Sequence, residues 1–130
     1  MTRTDIDFAR MPEAMPWHYS QTVRVGDMVF VAGQVATKDG TLIGQGDIDV
    51  QAEQAYQNVA EQLKKAGVTF DDVVRETVYL ADRTLLPQVA KIRERFYENH
   101  WPASTAVFSG EGEGYIIEVE VTAIAGCGTE

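Results

Sequence analysis

The chain has 130 residues, of which 45% are hydrophobic and 24% charged, and its formal net charge is −9. This length supports one hydrophobic core, so we expect a single domain over residues 1–130. Phosphate binding needs clustered lysine and arginine, and 20 acidic residues against 11 basic ones therefore argue against a nucleic-acid partner. No apolar run approaches the ~20 residues of a membrane span, and the first residues lack a secretory pattern. We therefore expect no membrane partner and a cytoplasmic location.

The distribution of cysteine and of positive charge restricts the kinds of site further. Cys127 is the only cysteine, so an intrachain disulfide and a cysteine-rich zinc site are excluded. Its position between two glycines near the end of the chain argues against a catalytic role. No lysine or arginine follows Arg95. We therefore expect a site built from the C-terminal residues to lack a local cation for an anionic ligand.

The first third of the chain is typical of strands joined by tight turns. Residues 3–16 show no clear period and predict an extended arm rather than an element. Residues 21–25 and 28–32 are rich in β-branched residues and predict two strands joined by the two-residue turn Gly26-Asp27. A further turn at residues 38–41 leads into a short strand-like piece.

The middle of the chain predicts two helices around one strand. Apolar residues recur at helical spacing over 50–66, with acidic residues before them that can cap the helix and Gly67 at its end. Residues 73–80 predict a central strand because most of them are apolar. A second helix is predicted over 84–100, with Pro87 in its first turn and His100 at its C-terminal end.

The last segment is the most informative part of the sequence. In residues 102–125 two β-rich runs flank the glycine-rich stretch 110–114, which predicts a final hairpin. Glu118 and Glu120 alternate with apolar residues and must share one face of their strand. An ionised carboxylate in a dry core is costly, so this face is predicted to line water, a cleft or a subunit seam. The alternative is that both acids form ion pairs at an ordinary interface.

The order of these elements predicts the fold class. Strand, strand, short strand, helix, strand, helix, strand, strand is typical of an α+β fold, a mixed β-sheet with two helices packed on one face. The second face is then left without a cover. A half-apolar open face favours contact with another copy, so we expect a symmetric oligomer.

Several short motifs, in order, resemble the Rid family of reactive intermediate deaminases, also called the YjgF family. They are Tyr19-Ser20-Gln21, Gly26-Asp27-Met28, Ala32-Gly33-Gln34-Val35, residues 54–59 and 73–82, Pro102-Ala103, Glu118-Val119-Glu120 and Ala123-Ile124-Ala125. The resemblance implies a chorismate-mutase-like fold, a homotrimer, and clefts between subunits. It also implies hydrolysis of enamines and imines to ketones and ammonia with no cofactor and no metal.

The resemblance also assigns roles to individual residues. It places Glu120 where the family keeps the carboxylate that positions or activates water, and a two-residue shift in register would give this role to Glu118. Tyr19 becomes a wall of the catalytic cleft, and Gly33 a point where the backbone approaches the ligand closely. Residues 104–106, which are Ser104, Thr105 and Ala106, become substrate-binding residues.

One position departs from the family pattern. Deaminating members carry an arginine after Pro-Ala that grips the substrate carboxylate with two parallel hydrogen bonds, and this chain has Ser104 there. A serine hydroxyl cannot replace a guanidinium. The sequence therefore predicts a divergent member that acts on a substrate other than 2-aminoacrylate, such as a neutral or ring-derived intermediate.

Residues near the predicted cleft have ordinary explanations as well. Trp17 and His18 can project into the same cleft, where His18 would act as a general base or bind a ligand carboxylate. The alternative is that His18 is an ordinary surface histidine. Tyr19 is either a cleft wall or an aromatic residue packed at the start of a strand. Ser104 and Thr105 either donate hydrogen bonds to a neutral polar ligand or are ordinary hydroxyls at a sheet edge.

Three functions follow from the sequence, in this order. The first is a hydrolase or deaminase acting on an enamine, imine or related C–N bond of a small molecule. The second is a paralogue that has kept the cleft and lost catalysis, and binds a small metabolite. RNA cleavage comes last, because the chain is acidic and shows no basic stripe.

Overall fold

The computed structural model describes residues 2–11, 15–110 and 112–129, and for residues 8–11 and 15–17 it describes the backbone alone. In this part the chain forms, in order, β1 (Arg3–Met11), β2 (Met15–Val25), β3 (Met28–Val35), β4 (Thr37–Lys38), β5 (Thr41–Leu42), α1 (Ile48–Lys65), β6 (Val73–Leu80), α2 (Leu86–Phe96), β7 (Ala103–Phe108) and β8 (Ile117–Ile124). Neither described α-helix is long and apolar enough to cross a membrane.

The six longer strands form one mixed sheet. Its order is β1-β2-β3-β8-β6-β7, and β6 and β7 run parallel while the other neighbours are antiparallel. Both helices lie on one face, where the core side chains of the sheet are buried, among them Val29, Val31, Val78, Val119 and Val121. The predicted α+β fold class is confirmed. We call this the helix face and the opposite side of the sheet the open face.

Helix α1 forms where the apolar spacing predicts it. The Asp47 carboxylate caps it by accepting a hydrogen bond from the Val50 backbone N–H at 3.2 Å. Gly67 follows the C-terminal end with φ of 81°, a left-handed conformation that costs glycine little. Tyr56, Val59 and other apolar side chains of α1 are completely buried against the sheet, so the helix is held by its amphipathic stripe.

The predicted C-terminal hairpin is wrong. Strand β6 lies between β7 and β8, because Thr77 pairs in parallel with Thr105 on one side and antiparallel with Glu120 on the other. The eight residues 109–116 cross over the end of β6, a span of two strand spacings or roughly 10 Å. A glycine-rich segment can join strands at different separations. It therefore does not determine whether the two strands are neighbours in the sheet.

The predicted N-terminal arm is also different. Residues 3–11 form strand β1, whose Ile6 lies opposite Thr22 of β2. Asp7 anchors β1 to α1, since its carboxylate accepts hydrogen bonds from Gln62 and Lys65. These partners are more than 50 residues away, so the local sequence does not show this anchor. The part of the predicted arm at residues 12–14 lies outside the described residues.

Helix α2 contains Pro87 in its first turn, as predicted, but ends earlier than expected. Tyr97 leaves the helical region with φ −94° and ψ 80°, and its ring packs edge-on against Phe70 at a centroid distance of 5.0 Å. His100 therefore does not end the helix. Its Nε2 atom lies 3.1 Å from the backbone oxygen of Gly128.

Candidate functional site

The open face of the sheet carries both predicted acids. Along β8, buried apolar residues alternate with half-buried Glu118 and Glu120. Glu118 lies opposite Tyr79 of β6, and Glu120 lies opposite Thr77. Directly paired residues share a face, so these four side chains belong to the open face. The prediction that the two acids lie together is confirmed.

A tyrosine orients one of the acids. The Tyr79 hydroxyl donates a hydrogen bond to Oε1 of Glu120, reaching diagonally across the pair of strands. Glu120 also lines a cavity of about 180 Å³ together with Arg75, Thr77, Val121 and Thr122. The Glu120 carboxylate thus lines a polar cavity, and one of its oxygens accepts the hydrogen bond from Tyr79. Its remaining acceptor capacity can bind a water molecule or a ligand.

Glu118 lies over the backbone of β3. The pairing of β3 with β8 shifts between Val31 and Gln34, and Gly33 lies in this irregular stretch. A Cβ atom on Gly33 would lie 2.6 Å from Cδ of Glu118 and closer still to one carboxylate oxygen. The missing side chain therefore creates the space that the Glu118 carboxylate occupies.

Strand β7 divides the predicted substrate-binding residues between the two faces. Thr105 lies opposite Thr77 on the open face, and its Oγ1 accepts a hydrogen bond from Arg75 Nη2 at 3.0 Å. Ser104 lies opposite Glu76 and donates to Glu76 Oε2 at 3.0 Å on the helix face. Ala106 lies opposite Val78, on the same face as Ser104, and is exposed. Thr105 is thus the one of these three residues that shares the open face with the two acids, although β6 lies between its strand and theirs.

A buried carboxylate beneath Ser104 was missed by the sequence analysis. Glu76 is completely buried and accepts hydrogen bonds from Tyr56 at 2.6 Å and Tyr97 at 3.1 Å. Arg93 of α2 forms an ion pair with it at 2.9 Å. With Ser104, four donors satisfy this one carboxylate, as a buried charge requires. The available signal was the single acid in β6, at a position that alternation places on the buried face with Val78 and Leu80.

This network changes the chemistry of its tyrosines. Burial raises the pKa of Tyr56 and of Tyr97 far above the ordinary value, and the negative charge of Glu76 raises both pKa values further. Both hydroxyls therefore stay protonated and act as hydrogen-bond donors. The network stabilises the fold of the β6–β7–α2 region, and Ser104 is its most exposed member.

Residues 17–19 lie on β2, which β3 separates from β8. His18 and Tyr19 are exposed in the single chain, and Tyr19 has 47% of its surface accessible. The side chain of Trp17 lies outside the described part of the structure. The single chain therefore does not bring His18 and Tyr19 next to Glu120.

A larger cavity of about 270 Å³ lies beside α2, where Arg93, Tyr97, Trp101 and Pro102 contribute to its wall. Its lining includes the exposed Glu94 but neither Glu118 nor Glu120. Hydrolytic chemistry needs a positioned group that can accept a proton. We place the candidate active site at the smaller, polar cavity beside Glu120, because this acid is half-buried and held by Tyr79.

Comparison with known proteins agrees with this fold. Residues 10–127 match the family model Ribonuc_L-PSP, described as Endoribonuclease L-PSP. The human 2-iminobutanoate/2-iminopropanoate deaminase is 34% identical over 129 residues, which cover 97% of this chain and 93% of the human protein. The structure of YyfA from Yersinia pestis, a Rid-family protein of unknown function, has a TM-score of 0.84 at 26% identity and covers 95% of this chain and 100% of its own. That of TdcF from E. coli, with bound serine, has a TM-score of 0.80 at 25% identity, with coverages of 93% and 98%.

Proposed function

The chain belongs to the L-PSP family, the Rid family of the resemblance above, and we propose that it hydrolyses the C–N bond of a small imine or enamine. The human relative, named for its action on two imines, supports the reaction class. The observation that carries the proposal is the Glu120 carboxylate, held by Tyr79 at the edge of a polar cavity. The serine bound to TdcF supports a small, polar ligand.

The reaction requires one base that can also return a proton. An enamine first tautomerises to its imine. Water then adds to the imine carbon, forming a C–O bond, and Glu120 takes one water proton and passes it to the nitrogen. Collapse of this carbinolamine breaks the C–N bond, releases ammonia and leaves the ketone, with the second proton passing from oxygen to nitrogen through Glu120. No oxidation state changes, so we propose that no cofactor takes part.

Glu118 remains the second candidate for this role. It shares the open face with Glu120, and Gly33 allows its carboxylate to approach the backbone of β3. The backbone around Gly33 can then provide hydrogen bonds to a ligand beside the acids.

We propose that the complete site forms between protomers of a homotrimer. Met28, Phe30 and Ile124 are exposed apolar residues, and their pairing places them on the open face beside the polar site. An apolar patch of this kind favours burial against another copy. In such an assembly Tyr19, His18 and Trp17 of one protomer can approach Glu120 of the next.

The family model's description raises RNA cleavage as a second activity. The charge of the chain argues against it, because a net charge of −9 repels a phosphate backbone. We therefore propose a small-molecule substrate.

The test is hydrolysis of 2-iminopropanoate generated in the assay from alanine by an amino-acid oxidase. We expect wild-type protein to accelerate ketone release above the uncatalysed rate, and Glu120→Gln to lower kcat about 10²-fold or more. Glu113→Gln is the matched control, because Glu113 is exposed in the segment that joins β7 to β8. If wild-type protein binds the ketone product but shows no turnover, the proposed catalytic activity is contradicted and a non-catalytic binding protein is favoured.

A further inference from the structure

Among the arginines whose side chains are described, Arg75 and Arg83 form no ion pair, and of these two Arg75 lines the candidate active site. Arg3, Arg24, Arg93 and Arg95 each form an ion pair with a carboxylate. Arg75 is in none of the ion pairs found among residues 2–11, 15–110 and 112–129, and its guanidinium donates to the neutral hydroxyl of Thr105. A guanidinium has five N–H donors in a planar fork, so most of its capacity and its whole charge remain available to a ligand.

This unneutralised cation lies in the candidate active site. Arg75 pairs with Thr122 of β8, and the neighbouring Thr77 pairs with Glu120. Arg75 and Glu120 are therefore diagonal neighbours on the open face, a relationship that places Cα atoms about 7–8 Å apart. Both line the cavity of about 180 Å³, together with the hydroxyl-bearing Thr77 and Thr122.

The two charged groups do not neutralise each other directly, since they form no ion pair within 4.0 Å. A cation and an acid that line one small cavity match a ligand that carries the reverse charges. The carboxylate of such a ligand would face Arg75, and its nitrogen would face Glu120. The two threonine hydroxyls can satisfy remaining polar atoms between these points.

We propose that Arg75 binds the carboxylate of the substrate and thereby selects imines derived from amino acids over neutral ones. This inference rests on the proposed function. It reverses the neutral substrate expected from Ser104, and it corrects the expectation that the C-terminal strand has no cation nearby. The cation comes from β6, which the fold inserts beside β8.

The effect of removing this group follows from charge-assisted hydrogen bonding. Hydrogen bonds to a charged partner are worth roughly 1.5–3 kcal/mol, which corresponds to a change in dissociation constant of about 10- to 100-fold. A neutral ester of the same shape cannot form this charge-assisted pair. It should therefore bind the wild-type protein and an Arg75 variant equally well.

The experiment compares binding of pyruvate and of methyl pyruvate, measured by ligand-observed NMR titration. We expect wild-type protein to prefer pyruvate by about 10- to 100-fold and Arg75→Gln to lose this preference. Arg83→Gln is the matched control, because Arg83 is exposed, stacks over the Phe108 ring and also lacks an ion pair among the described residues. It should retain the preference.

The outcomes separate this inference from the proposed function. If Arg75→Gln binds pyruvate as tightly as wild-type protein does, or if wild-type protein shows no preference for pyruvate over the ester, the assignment of Arg75 is overturned. If the preference is lost in Arg75→Gln while wild-type protein shows no imine turnover, the assignment of Arg75 is supported and the proposed hydrolase function is contradicted. Because Arg75 is exposed, both variants should unfold at the wild-type urea concentration, which excludes misfolding as the cause.

Discussion

The Glu118 carboxylate occupies the space that a side chain at position 33 would fill. Gly33 lies in the irregular part of β3, and a Cβ atom there would overlap the carboxyl group of Glu118. The two residues are 85 positions apart in the chain. The position of the Glu118 carboxyl group nevertheless depends on the absence of a side chain at residue 33. A larger residue at position 33 would therefore force the Glu118 carboxyl group to move.

The first prediction concerns this pair. Gly33→Ala should lower the free energy of unfolding by about 1–3 kcal/mol, because the added methyl group forces the Glu118 carboxyl group to move. Urea unfolding measures this loss. The control is Gly110→Ala, where a Cβ atom meets nothing within 4 Å, and its unfolding should be nearly unchanged.

A double variant tests the cause. Adding Glu118→Ala to Gly33→Ala removes the group that is overlapped, so the two substitutions should cost less together than the sum of their separate effects. Strict additivity would show that the loss in Gly33→Ala comes from elsewhere.

The second prediction concerns the orientation of Glu120. Tyr79→Phe removes the hydroxyl that donates to Glu120 Oε1, so the carboxylate becomes free to rotate away from the productive position. We expect kcat for imine hydrolysis to fall roughly 10-fold, with KM little changed, since a positioned base contributes about 10²–10⁴-fold and only its placement is impaired. Tyr115→Phe should have wild-type kinetics, and equal kinetics for both variants would show that Tyr79 does not position the base.

The third prediction concerns the buried Glu76 network. Glu76→Gln removes the charge that pairs with Arg93, whose side chain is 27% exposed, and we expect a loss of about 3 kcal/mol in the free energy of unfolding. Glu53→Gln disrupts the more exposed pair with Arg95 and should cost less than about 1 kcal/mol. Similar losses in the two variants would mean that burial does not strengthen the Glu76 pair.

The Ser104 hydroxyl provides a finer test of the same network. Ser104→Ala removes one of four donors to Glu76, and the expected loss is about 1 kcal/mol in urea unfolding. Binding of pyruvate should be unchanged, because Ser104 faces away from Glu120. A large loss of ligand affinity without a loss of stability would instead place Ser104 in the binding site.

The fourth prediction concerns alkaline pH. The raised pKa values of Tyr56 and Tyr97 mean that the folded chain holds these protons more tightly than the unfolded chain does. Their stabilising contribution is therefore complete below the unfolded tyrosine pKa of about 10 and is lost as the pH rises above it. We expect the free energy of unfolding to fall with increasing pH above about 10.

Absorbance at 295 nm separates the tyrosines. Tyr56 and Tyr97 should ionise only when the chain unfolds, and replacing both with phenylalanine should flatten the alkaline fall in stability. Tyr115→Phe should leave this pH dependence unchanged. Ionisation of all tyrosines in the folded protein would contradict the raised pKa values.

Much of the fold was predictable because its signals are local. The stripe of α1, its cap at Asp47 and the turn after Val25 depend on residues that are close in sequence. The early end of α2 was not predictable in this way, because Tyr97 leaves the helix for contacts with Phe70 and Glu76, which lie more than 20 positions earlier.

The candidate site shows the same division. Alternation along β8 determined by itself that Glu118 and Glu120 share a face, because strand periodicity is a property of the backbone. The tertiary structure alone decided that β6 enters between β7 and β8, which brings Arg75 and Tyr79 to that face and turns Ser104 toward Glu76. Strand neighbours are chosen by packing over the whole sheet, and no local stretch of sequence encodes that choice.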